Sequence, residues 1–384
     1  MKRLVCVIVA FLTLIAGIHA SAAENYEAPA ETAQVAEDEV LLKIDLISDT
    51  HIGVDGTEEI LSSVMNRITR EADDNTGLIV AGDVTNSGEK YQMNAFLKEL
   101  QRFPKERTAF CFGNHDYGLW SSSESHRGTM IEGRNEYFGM DSKKDYYSTE
   151  INGYKVVVMG NEGNHVNSAN ISGAQLKFLE QELDEGSANG KPVFVLCHWP
   201  LRNTHGERLL WPIIPGGALS SSDTAKVKAI LKKYDNVFYI SGHLHMGLNG
   251  ALFQRLFNIC CVEENDGITC INAPCCGKGN RFGVTGKGTG MLLTVTKDKL
   301  IIEGKNYLTG EIYSKYSFDI ALKNFTPEVP AEADTGADEG IDTDSIRDLY
   351  AGNVEPAPQE TGEAAVFNEE EFELAGNCGE NEAA

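Results

Sequence analysis

Basic residues are scarce in this chain of 384 residues, and they are scarcest near its two ends. The sequence has 33 Lys and Arg residues against 57 Asp and Glu residues, and its formal net charge is -24. Residues 24–39 include six acidic residues and no base, and residues 326–384 include 17 acidic residues against the single Arg347. Nucleic acids and anionic membranes are bound by clustered Lys and Arg. We therefore expect no nucleic-acid partner, and the acidic tail is a candidate site for an unknown protein partner.

Long apolar runs are also rare, and only residues 4–18 approach one. This run of about fifteen residues is shorter than the roughly twenty that a membrane-spanning helix needs. Lys2 and Arg3 precede it, and the small-residue sequence Ala20-Ser21-Ala22 follows it, which is the layout of a secretory signal peptide. We predict a signal peptide over residues 1–22, with a retained membrane anchor as the alternative. The mature protein is then expected to be periplasmic or secreted, without an integral membrane anchor.

The glycine-rich run from Gly277 to Gly288 lacks the sequence of a phosphate-binding P-loop. That motif requires Ser or Thr after its lysine and glycine as its first residue. Here Lys287 is followed by Gly288, and Arg281 occupies the position of the first glycine. The run is therefore predicted to be a flexible loop near the functional site.

Cysteine is concentrated in one part of the sequence. Five of the nine cysteines fall within seventeen residues: Cys260, Cys261, Cys270, Cys275 and Cys276. In an oxidising compartment, disulfides among them are favoured, and buried thiols or a second metal site are the alternatives. Cys111 and Cys197 lie inside apolar runs and are predicted to be buried thiols.

Short apolar segments alternate with helical patterns through the central part of the chain. Strands are predicted near Leu41–Ile47, Leu78–Ala81 and Ala109–Phe112, and helices near Glu58–Glu71, capped by Thr57, and Tyr91–Phe103. This alternation predicts β-α-β units with a largely parallel core, whereas the segment Trp120–Asp145 is predicted to be an irregular surface insertion. We expect an acidic leader arm over 23–39, one folded domain over 40–325, and a disordered tail over 326–384.

Five predicted strands end in side chains that bind metals. The endings are Asp49-Thr50-His51, Gly82-Asp83, Gly113-Asn114-His115-Asp116, His198 and Gly242-His243-Leu244-His245. The carboxyl ends of parallel strands share one edge of a sheet, so these endings are expected to converge. On an extended backbone, the two outer residues of Asp-x-His and of His-x-His point to the same side, so each pair is expected to supply two donors. Carboxylate, amide and imidazole donors suit Zn, Mn or Fe. The seven donors fit two ions if one carboxylate bridges: Asp49, His51, Asp83, Asn114, His198, His243 and His245.

In this order the endings resemble the pattern of the calcineurin-like metallophosphoesterases, which is D-x-H, G-D, G-N-H-[DE], H and G-H-x-H. The resemblance covers about residues 41–318. It implies an α/β fold, a four-layer α/β/β/α sandwich of two mixed sheets flanked by helices, and a metal-dependent phosphoric ester hydrolase. Carried over by motif, one divalent ion is held by Asp49, His51, Asp83 and His245. Asp83 bridges to a second ion, which is held by Asn114, His198 and His243.

The same resemblance implies attack at phosphorus by a hydroxide that bridges the two ions, which leaves an alkoxide in need of a proton. His115 follows a predicted ligand and can reach that oxygen, so it is the predicted general acid. Asp116 is predicted to act with it, either by orienting His115 or by holding the turn. Arg202 lies four residues after His198 and is a candidate phosphate contact, with a solvated surface arginine as the alternative.

The sequence holds fewer signals for the substrate class than for the metal site. Purple acid phosphatases carry a tyrosine ligand three residues after the aspartate of the second motif, where this chain has Asn86, which argues against a tyrosinate-iron site. The stretch from Gly82 to Gly88 resembles the G-D-x-x-x-x-G of the cyclic-nucleotide phosphodiesterase-like branch. We expect a small phosphomonoester or phosphodiester substrate, with nucleotides first. A non-catalytic surface or adaptor protein on the same scaffold and a lipid phosphodiesterase are the alternatives.

Overall fold

The computed structural model describes residues 40–118, 124–163, 168–207, 217–245, 261–277 and 287–327. Within these ranges, twelve strands form two mixed sheets of six strands each, and helices complete the α/β fold. The predicted fold class is confirmed. In chain order the strands are β1 Leu42–Ile47, β2 Thr76–Val80, β3 Thr108–Phe110, β4 Tyr147–Ile151, β5 Tyr154–Val158, β6 Val193–Leu196, β7 Val237–Ser241, β8 Val262–Asn265, β9 Ile268–Asn272, β10 Thr289–Val295, β11 Lys299–Asn306 and β12 Ile312–Ala321.

The helices connect these strands within each half of the chain. They are α1 Thr57–Glu71, α2 Lys90–Leu100, α3 Glu124–Phe138, α4 Gly173–Gly186 and α5 Ser221–Leu231, with short 3-10 turns at Lys105–Arg107 and Ala188–Gly190. Sheet 1 has the order β12-β11-β10-β1-β2-β3, and sheet 2 has the order β4-β5-β6-β7-β9-β8. The strands β1, β2 and β3 are parallel, and so are β5, β6, β7 and β9. Each sheet therefore collects several strand ends at one edge.

One apolar layer joins the two sheets. Ile44 of β1 and Ile79 of β2 belong to the same buried cluster as Val158 of β5, Leu196 of β6 and Ile240 of β7. Each is fully buried, and burial of such a side chain contributes roughly 1.5–3 kcal/mol relative to exposure. A second apolar cluster packs the helices against the sheets. The packing of both sheets around one layer brings their strand ends near each other.

The segment 120–145 differs from its prediction, because residues 124–138 form the helix α3. Its buried side includes Arg134, whose Nη1 donates to the carbonyl of Lys144 at 2.8 Å and whose guanidinium lies over the Tyr147 ring. An apolar pattern cannot reveal a helix that buries an arginine toward the core, and that is why the prediction of irregular structure is wrong here.

Two smaller predictions also differ from the structure. Gly56 is the N-cap of α1, and Thr57, predicted as the cap, donates its hydroxyl to the carbonyl of His51 at 2.9 Å. This bond joins the start of the helix to the loop after β1. Within the dense cysteine run, Cys270 and Cys276 are free, buried thiols, so these two do not form the favoured disulfides. Cys261 and Cys275 are buried, and Cys260 lies outside the described residues. Cys111 and Cys197 are buried thiols, as predicted.

The predicted signal peptide, the leader arm, nearly all of the acidic tail and most of the glycine-rich run lie outside the described residues, and they stay predictions. Within the described part of the chain, no helix combines the length and the apolar character needed to cross a bilayer.

Candidate metal centre

The five strand ends meet at one place, three of them from sheet 1 and two from sheet 2. Main-chain hydrogen bonds join neighbouring ends, since Asp49 N donates to Gly82 O and Gly242 N donates to His198 O, both at 3.0 Å. The two sheets are joined directly by His198 Nδ1, which donates to the carbonyl of Ala81 at 2.7 Å. The site therefore lies between the edges of two sheets.

The first group of donors comprises Asp49, His51, Asp83 and His245, and their potential ligand atoms all lie within 4.8 Å of one another. His245 Nε2 is 3.0 Å from His51 Nε2 and 3.2 Å from Asp49 Oδ1. His51 Nε2 is 3.8 Å from Asp83 Oδ2. Two carboxylate oxygens and two imidazole nitrogens thus face one small volume, which is a suitable donor set for a borderline divalent ion.

The second group comprises Asp83, His198 and His243, and it shares Asp83 with the first. His198 Nε2 lies 3.3 Å from Asp83 Oδ2, the same oxygen that faces His51. The other oxygen, Asp83 Oδ1, accepts a hydrogen bond from the backbone N–H of His115 at 2.9 Å. A single oxygen of Asp83 is therefore directed at both groups.

Gly113, directly before Asn114, packs against this second group. A Cβ at Gly113 would lie 2.6 Å from His198 Nε2 and closer still to Asp83 Oδ1. Asn114 itself is 7% exposed, and its Oδ1 is buried without a hydrogen-bond partner among the described residues.

These residues fit a pair of divalent ions. Asp49 Oδ1 and Asn114 Oδ1 are buried acceptor atoms that no group of the described chain satisfies with a hydrogen bond. An unsatisfied buried polar group costs about 1–3 kcal/mol. Two such atoms at the ends of strands that meet at this site are expected where positive ions are to be bound.

Neighbouring groups fix the orientation of these donors. Ser48 Oγ donates to Asp49 Oδ2 at 2.6 Å, and His243 N donates to the same oxygen at 3.2 Å, so that Asp49 Oδ1 remains for an ion. Since a carbonyl can only accept, the bond to Ala81 requires the proton of His198 on Nδ1 and directs Nε2 at the site. Ser48 and Ala81 were not among the predicted site residues.

The backbone at these donors is left-handed and not extended as the sequence suggested. The φ angles are positive at five of the seven donors: Asp49 (53°), His51 (47°), Asp83 (48°), His243 (72°) and His245 (49°). Each such conformation at a residue other than glycine costs on the order of 1–3 kcal/mol and persists only where the surrounding structure enforces it. The sharp turns of the chain, and not the alternation along a strand, therefore direct these side chains.

Burial and neighbouring charges shift the pKa values of the carboxylates and imidazoles in the site. Burial alone would raise the pKa of Asp83, but the imidazoles of His198 and His115 outweigh it and hold this pKa well below its usual range. Burial lowers the pKa of His198, but the carboxylate of Asp83 outweighs it and raises the pKa to about 9. For Asp49, burial dominates and raises the pKa. Without an ion, the proton of His198 partly replaces the positive charge that the carboxylates need.

His115 is held differently from Asn114 and Asp116 on either side of it. It is half-buried, its ring lies edge-on to the ring of His51 at 4.6 Å, and its Nδ1 donates to the carbonyl of Asn86 at 2.8 Å. This bond leaves Nε2 as the ring nitrogen available to a substrate. The anchor is a backbone carbonyl, which every residue carries, so residue type gave no signal for it.

Among the described residues, Asp116 forms its hydrogen bonds with partners other than His115. It is fully buried, and its carboxylate accepts hydrogen bonds from Thr85 N at 2.7 Å, Thr85 Oγ1 at 2.7 Å and Gly113 N at 2.7 Å. Burial, followed by the charge of Asp83, raises its pKa to about 6. These contacts favour the alternative in which Asp116 holds the turn, and they argue against direct contact with substrate.

Arg202 lies beside α5. Its Nε donates to the carbonyl of Leu219 at 3.2 Å, and its side chain lines a cavity of about 430 Å³ beside α5 with Thr224 and Lys228. None of the seven donors is among the described residues that line this cavity. These contacts give no support to the predicted phosphate contact of Arg202, which stays a prediction beside its alternative, a solvated surface arginine.

Comparison with known proteins agrees with this geometry. The family model for calcineurin-like phosphoesterases matches residues 42–247, which contain all seven donors. No curated protein matches the chain. A dimetal phosphatase from Danio rerio has a similar structure, with a TM-score of 0.51 and 12% identity over 74% of this chain and 100% of that one. A purple acid phosphatase from yellow lupin seeds gives a TM-score of 0.50 and 14% identity over 75% of this chain and 57% of that one. At these identities the two structures show a common fold.

Proposed function

Because this chain belongs to the calcineurin-like phosphoesterase family and is thus a metal-dependent phosphoric ester hydrolase, we propose that it hydrolyses small phosphomonoesters or phosphodiesters, with nucleotides as the substrate class. The observation that carries this proposal is the pair of buried donor groups that share Asp83 Oδ2, with His115 beside them. Asp49, His51, Asp83 and His245 would hold one ion, and Asp83, Asn114, His198 and His243 the other. Mn, Zn and Fe all suit these donors.

The metal donors and His115 have separate roles in hydrolysis. When bound, two divalent ions supply positive charge for the phosphate oxygens and acidify water, so that it is a nucleophile at neutral pH. A new oxygen–phosphorus bond then forms while the phosphorus–oxygen bond to the leaving group breaks, and the electron pair of the broken bond goes to the leaving oxygen. His115 Nε2 donates a proton to that oxygen, and the carbonyl of Asn86 holds the ring in place through Nδ1.

An exposed aromatic ring follows shortly after Asn86, whose carbonyl holds His115, and it supports nucleotides as the substrate class. Tyr91 is 62% exposed and lies at the start of α2, five residues after Asn86. Exposed aromatic rings bind planar bases by stacking. In a screen, Tyr91→Ala is expected to raise KM for a nucleotide substrate several-fold and to leave KM for an alkyl phosphate unchanged.

We further propose that the protein is exported, because residues 1–22 have the layout of a signal peptide. Expression of the full chain in a bacterium with a periplasm, followed by mass spectrometry, should give a mature N-terminus at Ala23. Full-length protein in the membrane fraction would favour a retained anchor instead.

The enzymatic proposal is tested with purified protein, Mn²⁺ or Zn²⁺, and chromogenic monoesters and diesters. We expect turnover that a chelator abolishes and that added metal restores. His115→Ala should bind two equivalents of metal, hydrolyse a nitrophenyl ester at nearly the wild-type rate and lose about 10²-fold or more with an alkyl ester, because only the poor leaving group needs the proton. Wild-type rates with both esters would contradict the role of His115.

The same preparation decides between the remaining alternatives. Protein that binds no stoichiometric metal would favour a non-catalytic adaptor on this scaffold. Turnover of phospholipid head groups, with none of nucleotides, would favour a lipid phosphodiesterase.

A further inference from the structure

The turn Asn86–Gly88 connects His115 to the helix α2. The carbonyl of Asn86 accepts the hydrogen bond of His115 Nδ1 at 2.8 Å, so the position of this carbonyl sets the orientation of the imidazole. The amide N–H of Asn86 donates to Ile52 O at 2.9 Å, next to His51 in the chain. Any shift of this turn would therefore move His115 relative to the donors.

Gln92 anchors one side of the turn from the first turn of α2. Its Oε1 accepts hydrogen bonds from Ser87 N at 2.9 Å and from Ser87 Oγ at 3.1 Å, directly after Asn86. Its Nε2 donates to the hydroxyl of Tyr91 at 3.1 Å. The side chain is 2% exposed, which is unusual for glutamine on a helix surface.

Gly53 contributes to the confinement of this amide. A Cβ at Gly53 would lie 2.7 Å from Gln92 Cδ, so the loop that carries His51 passes directly over the Gln92 side chain. The amide is thus enclosed between the loop of a metal donor and the turn that holds His115.

Asp116 anchors the other side of the same turn. It accepts from the amide and the hydroxyl of Thr85, directly before Asn86, both at 2.7 Å. The carbonyl that orients His115 is therefore flanked by two fixed neighbours, Thr85 through Asp116 and Ser87 through Gln92. Asp116 follows His115 in the sequence, yet its carboxylate acts on the turn that contains Asn86.

We propose that Gln92, together with Asp116, is a positioning residue for His115, which acts by fixing the Asn86 carbonyl that holds the imidazole. The proposal rests on the proposed role of His115 as proton donor. Gln92 also completes a capping box with Glu89 at the start of α2, so its test must separate this structural role from the effect on His115.

The test compares Gln92→Met, which keeps the shape of the side chain and loses the acceptor, with Gln92→Glu, which keeps an acceptor for Ser87. With the metal-loaded full chain, Gln92→Met is expected to slow an alkyl ester about tenfold and a nitrophenyl ester less than twofold, while Gln92→Glu restores most of the loss. Glu89→Ala, which removes the other half of the capping box, is the matched control. It should lower the melting temperature without changing the ratio of the two rates.

Two further readouts keep the inference separate from the proposed function. In a His115→Ala background, Gln92→Met should cause no additional loss, because the two residues act through one group. In metal-free protein, nitrogen NMR should show the His115 ring protonated at Nδ1 in the wild type and a mixture of tautomers in Gln92→Met.

The outcomes are distinct. If the wild type hydrolyses neither ester, the proposed function fails. If the wild type is active and Gln92→Met leaves the ratio of the two rates and the tautomer unchanged, or adds its full effect to that of His115→Ala, the positioning role is overturned.

Discussion

A single methyl group at Gly113 should disable the metal centre. Gly113 does not require a left-handed backbone, so an alanine there is conformationally allowed, and the effect of Gly113→Ala is purely steric. Its Cβ would lie 2.6 Å from His198 Nε2, whereas ordinary contact begins near 3.4 Å. The two groups must therefore separate by at least about 0.8 Å, and Asp83 Oδ1 must move further.

The magnitude of the effect follows from that displacement. Metal ligands tolerate about 0.2 Å of error in distance, and loss of correct ligand placement costs about 10–100-fold in affinity or activity. The overpacking itself costs roughly 1–3 kcal/mol, which corresponds to a fall in melting temperature of several degrees for a domain of this size. Gly113→Ala should therefore fold, melt earlier, bind the second ion at least tenfold more weakly and lose most turnover.

The assay combines titration calorimetry with Mn²⁺, elemental analysis after gel filtration and turnover of a nitrophenyl ester. Gly128→Ala is the matched control, since a Cβ at Gly128 in α3 meets no atom within 4 Å. It should keep both ions and full turnover, and alanine should stabilise the helix slightly. Two ions bound with wild-type affinity in Gly113→Ala would refute the packing of Asp83 and His198 against this glycine.

Two further predictions concern proton and charge balance. In the metal-free protein the carboxylate of Asp83 raises the pKa of His198 to about 9, and an ion must displace the proton of His198. The affinity for Mn²⁺ should therefore rise about tenfold per pH unit from pH 7 toward pH 9. Calorimetric titrations that give a constant affinity over this range would contradict the interaction of Asp83 with His198. Lys305 Nζ lies 3.2 Å from Asp45 Oδ1 in the core, so Lys305→Met leaves a buried carboxylate without its cation. This variant should lose about 3–5 kcal/mol of the free energy of unfolding in urea. The matched variant Lys299→Met removes a partly exposed lysine that pairs with Asp319 and should lose about 1 kcal/mol or less; equal losses in the two variants would count against the buried pair.

Much of the fold followed from apolar periodicity, and the exceptions have a common cause. The strands β1, β2, β3, β6 and β7 are buried and apolar, so their positions were predictable to within a few residues. The strand β4 and the pair β8 and β9 were not predicted, and β4 and β8 lie at the edge of sheet 2, where half-polar sequences such as Val262–Asn265 are accepted. The helix α3 was missed because Arg134 replaces an apolar residue on its buried side.

The sequence by itself determined which side chains are available to bind metal and the order in which they occur. Asp49, Asp83 and His198 carry chemistry that no other residue type in those places would supply, and each follows an apolar run that had to be a buried strand. Only the tertiary structure determined the direction in which each of these side chains points. The choice of Asp83 Oδ2 as the shared oxygen, and the ring nitrogens that His198 and His115 present, depend on the N–H of His115 and on the carbonyls of Ala81 and Asn86. Every residue carries these backbone groups, so only the packing of two sheets and one turn determines which of them meets a given side chain.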